Sequence, residues 1–229
     1  RRLDERKILL YMEREIKSER VSKISISKFR ESFLSEGYYS DDFVVSPMVR
    51  FKSLPEGPCV VEGMTFGVIC NGTAKVVING KAFELRPNSL FLLREKSKIS
   101  SFRCTKACSG YFVNFSTQFF ESMKLDTSDM LSTDVIFSVK PCLEAQADEV
   151  SSLHDIATTV RSIAGRERLL YGSKIMTSLL SSFVYTVASI INKSITDSEG
   201  YASESRADEL MHQFISELSA ACERERSVE

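Results

Sequence analysis

The sequence predicts an α+β fold, an N-terminal antiparallel β-barrel followed by an α-helical region. Three observations carry this. Between Phe66 and Phe115 short apolar runs alternate with turn signals at a spacing of roughly 8–12 residues, the rhythm of an all-β barrel or sandwich. Asn79-Gly80 separates Val76-Val77-Ile78 from Lys81-Ala82-Phe83. Both central residues of a type I′ hairpin turn need positive φ, which Asn and Gly tolerate best. From Leu143 onward apolar residues recur instead at three and four, the period of a helix. Strands closed by such turns predict a double-stranded β-helix, or jelly roll.

Residues 1–19 are dense in charge, with Leu3, Ile8, Leu9, Met12 and Ile16 spaced as in a short amphipathic helix. Residues 21–26 alternate and read as a strand or arm. Aromatic residues crowd 29–39, and 43–45 and 48–51 read as further short strands. Pro55, Gly57 and Pro58 mark a loop. The N-terminal helix and arm are therefore placed at 1–37 and the barrel at 38–140. Within the barrel, Asn71-Gly72 makes a turn or a glycine bulge. Arg86-Pro87-Asn88-Ser89 makes another turn, with Pro87 pre-setting φ at the first central position. Residues i and i+2 of a strand share a face. Phe66, Val68 and Cys70 form one such set, Ala74, Val76 and Ile78 another, and Phe83 and Leu85 a third. Leu90-Phe91-Leu92-Leu93 is apolar throughout, so both of its faces are expected to be covered. Tyr111, Val113 and Phe115 point one way, Phe112 and Asn114 the other. Ser116 then N-caps a short helix bearing Phe119, Phe120 and Met123.

Ala147, Val150, Leu153, Ala157, Val160 and Ala164 predict a helix that Gly165 stops. Residues 168–192 carry an apolar face wide enough for two partners. Leu169, Met176, Leu180, Phe183, Val187 and Ile190 have the seam spacing of helices that pair lengthwise, which predicts a homodimer contact. The alternative is that the chain covers this stripe itself. The helical dimerisation region is placed at 141–193. Residues 194–206 are polar and read as a linker. Residues 207–222 form a last amphipathic helix on Leu210, Phe214, Leu218 and Ala221, within a segment 194–229.

The chain has 229 residues, 43% hydrophobic and 27% charged, with a formal net charge of −1. Non-specific affinity for DNA comes from Lys and Arg neutralising phosphates, and this balance provides no basic footprint. The longest mostly apolar stretch, 179–191, is interrupted by Ser181, Ser182 and Ser189 and reads as too short to span a bilayer. No secretory leader is read at the start. Six cysteines, at 59, 70, 104, 108, 142 and 222, are scattered rather than arranged as staples, as expected of reduced cytoplasmic thiols. Cys104 and Cys108 flank a tight turn that brings two thiols near each other.

A metal-binding barrel of this shape needs two close histidines on one strand, a carboxylate and a third histidine. The sequence holds only His154 and His212, both in the helical half. A metal-free barrel without a cofactor is therefore expected, and one without a histidine base. No Gly-rich phosphate loop and no CxxC pair is present. What remains is an apolar interior. Phe66, Val68, Val76, Phe83, Phe91, Tyr111 and Val113 either fill the barrel or line a pocket for a small molecule. Arg103 and Asn114 are polar groups inside apolar strands that either orient a ligand or face solvent.

Residues 66–93, followed by Gly-Tyr-Phe-Val-Asn-Phe-Ser-Thr-Gln-Phe-Phe at 110–120, resemble the N-terminal cupin domain of AraC-type transcription regulators. Residues 206–218, with Glu-Arg-Glu-Arg-Ser-Val-Glu at 223–229, are similar to the first helix of that family's DNA-binding domain. The resemblance covers roughly residues 40–229. It implies a cupin-like barrel that binds a small-molecule effector and a helical region that makes a homodimer. It implies no enzyme activity, no membrane, and DNA contact only through a C-terminal helix-turn-helix domain that these residues do not include. The competing reading is a cupin-fold enzyme, such as an isomerase of a small metabolite, which would need acid and base groups converging in the barrel.

Overall fold

The computed structural model describes residues 22–26, 38–39, 42–48, 58–125, 137, 140–164, 169–198, 214 and 217. The expected helix at 1–19, residues 199–206 of the expected linker and most of the last helix lie outside these residues, and residues 194–198 of that linker instead end a helix. The strands are β1 Ser22–Ile24, β2 Tyr38–Tyr39, β3 Phe43–Pro47, β4 Cys59–Val61, β5 Met64–Asn71 and β6 Ala74–Ile78. They continue as β7 Lys81–Leu85, β8 Ser89–Leu93, β9 Lys98–Cys104, β10 Ser109–Phe115 and β11 Cys142–Glu144. The main helices are α1 Thr117–Ser122, α2 Ala147–Ala164 and α3 Gly172–Ser198.

Turn chemistry sets the hairpins. Asn79 and Gly80 take φ of 49° and 81°, the left-handed pair that the type I′ turn between β6 and β7 requires. Between β7 and β8, Asn88 has φ 69°, Ser89 N–H donates to the Arg86 carbonyl at 3.0 Å, and Ser89 Oγ accepts from Arg86 N–H at 2.9 Å. Pro87 followed by a residue at positive φ is the pattern of a type II turn. The helices start on caps. Ser116 Oγ accepts from Phe119 N–H at 3.0 Å, as expected for α1. Glu149 reaches back to accept from Gln146 N–H at 2.8 Å at the start of α2.

Hydrogen bonding divides the strands into two sheets rather than one closed ring. One is five-stranded, in the order β1-β4-β9-β6-β7, and the other six-stranded, in the order β11-β8-β5-β10-β3-β2. Every pairing is antiparallel except β1 with β4. The five-stranded sheet ends at β7, whose outer edge pairs with no described strand. A strand at 142–144 differs from the helical reading of this stretch. Leu143 sits opposite Leu90, and the pairing with β8 extends the sheet before α2 begins.

Two cores result. The first lies between the sheets, where Val76, Ile78 and Phe102 meet Ile69, Phe91 and Phe112. The rings of Phe91, Phe102 and Phe112 lie 5.8–6.2 Å apart between centroids. Gly67 makes room for this cluster, because a Cβ there would stand 2.0 Å from Phe91 Cζ. The second core covers the other face of the six-stranded sheet. There Phe66, Val68, Leu90, Leu92, Tyr111 and Val113 pack against Leu153 and Val160 of α2 and against α3. The sheet is thus buried on both faces, as the unbroken apolar run 90–93 predicts.

The side chains of the expected dimer seam are covered within one chain. Met176, Leu180, Phe183, Val187 and Ile190 are all buried in this second core within a single chain, and Leu169 is half-buried in the turn before α3. A lengthwise seam made of these side chains would have to withdraw them from the sheet and α2. The helix also begins at Gly172 rather than 168, since Tyr171 takes a left-handed φ of 63° and Gly172 N–H closes a turn onto the Leu169 carbonyl at 3.0 Å. By length and composition α3 is able to cross a bilayer, contrary to the shorter apolar stretch read from sequence. Its apolar side is the side the chain covers, and Ser178, Ser182 and Ser189 face outward.

Candidate ligand-binding cleft

A register shift in β5 shapes the site. Ser109 pairs with Asn71 but Gly110 pairs with Ile69, so Cys70 is an extra residue in the ladder. Such a bulge bends its strand. A cleft of about 470 Å³ lies between the residues at this bulge and α2. Cys70, Asn71, Ser109, Gly110 and Tyr111 form one wall. Val150, Ser151, His154, Ala157, Thr158 and Arg161 of α2 form the other. Asn88 and Pro47 close it from the neighbouring strands.

Tyr111 is the chemical centre. It is 4% exposed, and its hydroxyl has no hydrogen-bond partner. Its ring packs on Phe183 at 6.4 Å and on His154 at 5.8 Å between centroids. Burial, then the nearby Cys70 and Asp155, push the phenol well above its ordinary pKa of 10.0. It therefore stays protonated, a hydrogen-bond donor on a residue that lines the cleft. A buried hydroxyl left unsatisfied costs about 1–3 kcal/mol. Around it, Asn71 Nδ2 donates to Ser109 Oγ at 3.1 Å, and His154 Nε2 lies 3.5 Å from Thr158 Oγ1. Burial also raises the Cys70 thiol. The ionisable wall groups besides Tyr111 and Cys70 are Arg161 and His154, and no carboxylate lines the cleft.

Of the seven residues predicted to line a pocket, only Tyr111 reaches this cleft. Phe66, Val68 and Val113 share its sheet face but are buried under the helices. Val76 and Phe91 are inside the sandwich, and Phe83 packs against that core from its edge. The seven therefore do not line one cavity. Alternation sorts residues into two faces and does not say which face looks inward. Arg103 is exposed. Asn114 is 1% exposed, and its Nδ2 donates to Thr65 Oγ1 at 2.6 Å and to the Glu62 carbonyl at 3.3 Å, so it is a buried structural amide. Among the described residues no group of three or more His, Cys, Asp or Glu is placed to hold a metal ion. The sequence reading missed the helix wall, although its signal was present. Ser151, His154, Thr158 and Arg161 recur at three, four and three, a polar stripe beside the apolar one.

No protein-family model matches the chain, and no curated protein matches it. Among solved structures it is similar to ToxT from Vibrio cholerae with an unsaturated fatty acid bound, at 13% identity and a TM-score of 0.43, over 68% of this chain and 57% of that one. It is similar to the cupin domain of Cnp3 from Schizosaccharomyces pombe, at 13% identity and a TM-score of 0.30, over 38% of this chain and 65% of that one. It is also similar to the AraC-like transcriptional activator CuxR, at 9% identity and a TM-score of 0.39, over 65% of this chain and 52% of CuxR. The matched region is thus little more than half of these two regulators.

Proposed function

We propose that the chain is the effector-sensing region of a cytoplasmic AraC-type transcription regulator, and that its effector binds in the cleft between the six-stranded sheet and α2. The observation that carries the sensing part is the Tyr111 hydroxyl, buried without a partner at the wall of a 470 Å³ cleft. Small-molecule sites are concavities of this size, with a few placed polar groups among apolar walls. The regulatory part rests on the sequence resemblance at 66–93 and 110–120. The space between the sheets is packed with Phe91, Phe102 and Phe112, which favours the outer cleft over the barrel interior as the effector site. The homodimer expected from the sequence belongs to this proposal. An isomerase would need an acid and a base converging on one substrate; burial keeps the Tyr111 phenol protonated, and the cleft residue of a type that could serve as base is His154 on α2, not a group inside the barrel.

Two measurements test this. A thermal-shift screen of small metabolites should yield a compound that raises the melting temperature of the chain, because a ligand that binds only the native state stabilises it. A screen without any such compound would sink the sensing role. The gene that encodes this chain should also encode two helix-turn-helix patterns. A gene without them would remove the regulator.

A further inference from the structure

Sulfur gathers at one end of the sandwich, next to the cleft. Cys104 ends β9 and Cys108 directly precedes β10, and Cys108 N–H closes the turn between them on the Thr105 carbonyl at 3.0 Å. That turn is tied to the β5–β6 connection. Thr105 N–H donates to the Thr73 carbonyl at 3.0 Å, and Thr105 Oγ1 accepts from Thr73 N–H at 3.2 Å. A Cβ on Gly72 would stand 2.5 Å from Cys108 N, so the turn has little room to shift. Held this way, the Cys104 and Cys108 side chains are hydrogen-bonded to each other, and neither is in a disulfide. Cys108 is 3% exposed, and its Sγ also lies 3.9 Å from Met48 Sδ. Cys104 is half-buried and is the outer thiol of the two. Burial, and then Cys104, push the Cys108 thiol up to about 11. The thiolate is the reactive form of cysteine, so the outer thiol meets an oxidant first and the inner one stands behind it.

We propose that Cys104 and Cys108 are a thiol pair oxidised by hydrogen peroxide, and that their disulfide braces the cleft wall. The Cys104 sulfur attacks the peroxide, the O–O bond breaks, and a sulfenic acid and one water result. The Cys108 sulfur then bonds to the Cys104 sulfur, the S–OH bond breaks, and the hydroxide leaves as water with the Cys108 proton. The two thiols are oxidised and the peroxide is reduced, by two electrons in all. A partner thiol already in contact makes the second step intramolecular, which favours the disulfide over further oxidation of Cys104. In a reducing compartment such a bond is transient, as a redox sensor requires. Cys108 is joined directly to Ser109, the first of the wall residues 109–111. Ser109 Oγ accepts from Asn71 Nδ2 at 3.1 Å in the same wall. Fixing Cys108 therefore restrains the strand that carries Tyr111. The thiol chemistry needs no ligand and stands apart from the effector reading.

The test uses the full chain, reduced, treated with hydrogen peroxide, alkylated and digested with trypsin. Lys106 lies between the two cysteines, so cleavage after it leaves two peptides joined only by the disulfide. Mass spectrometry should find Cys104 linked to Cys108, and dithiothreitol should reverse the link. Cys108→Ala should abolish the link and leave Cys104 as a sulfenic acid that dimedone traps, an adduct largely absent from the unsubstituted chain. Cys70, which is close enough to act on Cys108, is the competing partner. Cys70→Ser should leave the Cys104–Cys108 link intact. Circular dichroism checks that each variant is folded. If Cys108→Ala fails to fold, Cys104→Ser at the half-buried position takes its place and should leave Cys108 reduced. A disulfide made through Cys70, or both thiols still open to alkylation after peroxide, would overturn the proposal. Amide hydrogen exchange at residues 109–111 should slow in the oxidised chain. Unchanged exchange there would overturn the bracing of the wall and leave the pair as an oxidation site alone.

Discussion

Single residues in this molecule are set by what would collide with them or lose a proton. Gly67 faces the Phe91 ring so closely that an added methyl has no room. Gly67→Ala is expected to cost about 1–3 kcal/mol, the range for overpacking a filled core. A second change, Phe91→Leu, should recover part of this, and urea denaturation of the single and double variants measures both. The buried thiols give a pH dependence. Burial pushes Cys59 up to about 11 and Cys142 up to about 12, from a usual 9.0. The folded chain therefore holds these protons more tightly than the unfolded chain. Their contribution to stability is complete below pH 9 and is lost as pH rises through 11–12. Denaturation midpoints between pH 8 and 11 should fall, and Cys59→Ala should flatten the decline. Neither property is legible in the sequence, where Gly67 is one residue of a strand and Cys59 one of six scattered thiols.

Elements were legible to the degree that their signals are local. The Asn79-Gly80 hairpin, the Pro87 turn and the Ser116 cap each depend on four or five consecutive residues and form as read. The face sets of β5, β6, β8 and β10 also follow from period two. Which side of the six-stranded sheet meets α2 and α3 depends on residues far apart in the chain, and alternation carries no record of it. The same limit explains α3: its stripe is apolar whether it meets a second chain or its own sheet. Leu180 and Phe183 are both 0% exposed in one chain. Leu180→Ala is expected to cost about 2–5 kcal/mol and Phe183→Ala about 3–5 kcal/mol, the range for emptying a core site. Replacing both by Asp should unfold the chain rather than yield a folded monomer. Circular dichroism with light scattering distinguishes the two outcomes, and a folded monomer would restore the seam.

At the scale of the whole molecule, charge decides how the chain meets DNA. Lys and Arg number 30 against 31 Asp and Glu, so the long-range field gives little attraction for phosphates. The chain alone should bind duplex DNA weakly and without sequence preference at physiological salt. A gel-shift assay showing tight, sequence-specific binding would overturn this. The division into a strand-rich part and a helical part was readable from the change of period near Leu143. The site was not, because it forms where a bulge in β5 meets a helix some eighty residues later. Neither surface is a site until the sheet and α2 are packed together.

The margin strand β7 has a consequence for how freely this sequence can drift. Its outer backbone groups form a ready template for a strand from another molecule, and hydrophobic margins of this kind aggregate. Lys81, Ala82 and Glu84 are exposed along it, and two of the three are charged. These positions touch neither core nor cleft, so folding and ligand recognition place few demands on them. Solubility does, and an apolar substitution at Lys81 or Glu84 would be penalised by aggregation at cellular concentration before it altered any other property of the chain.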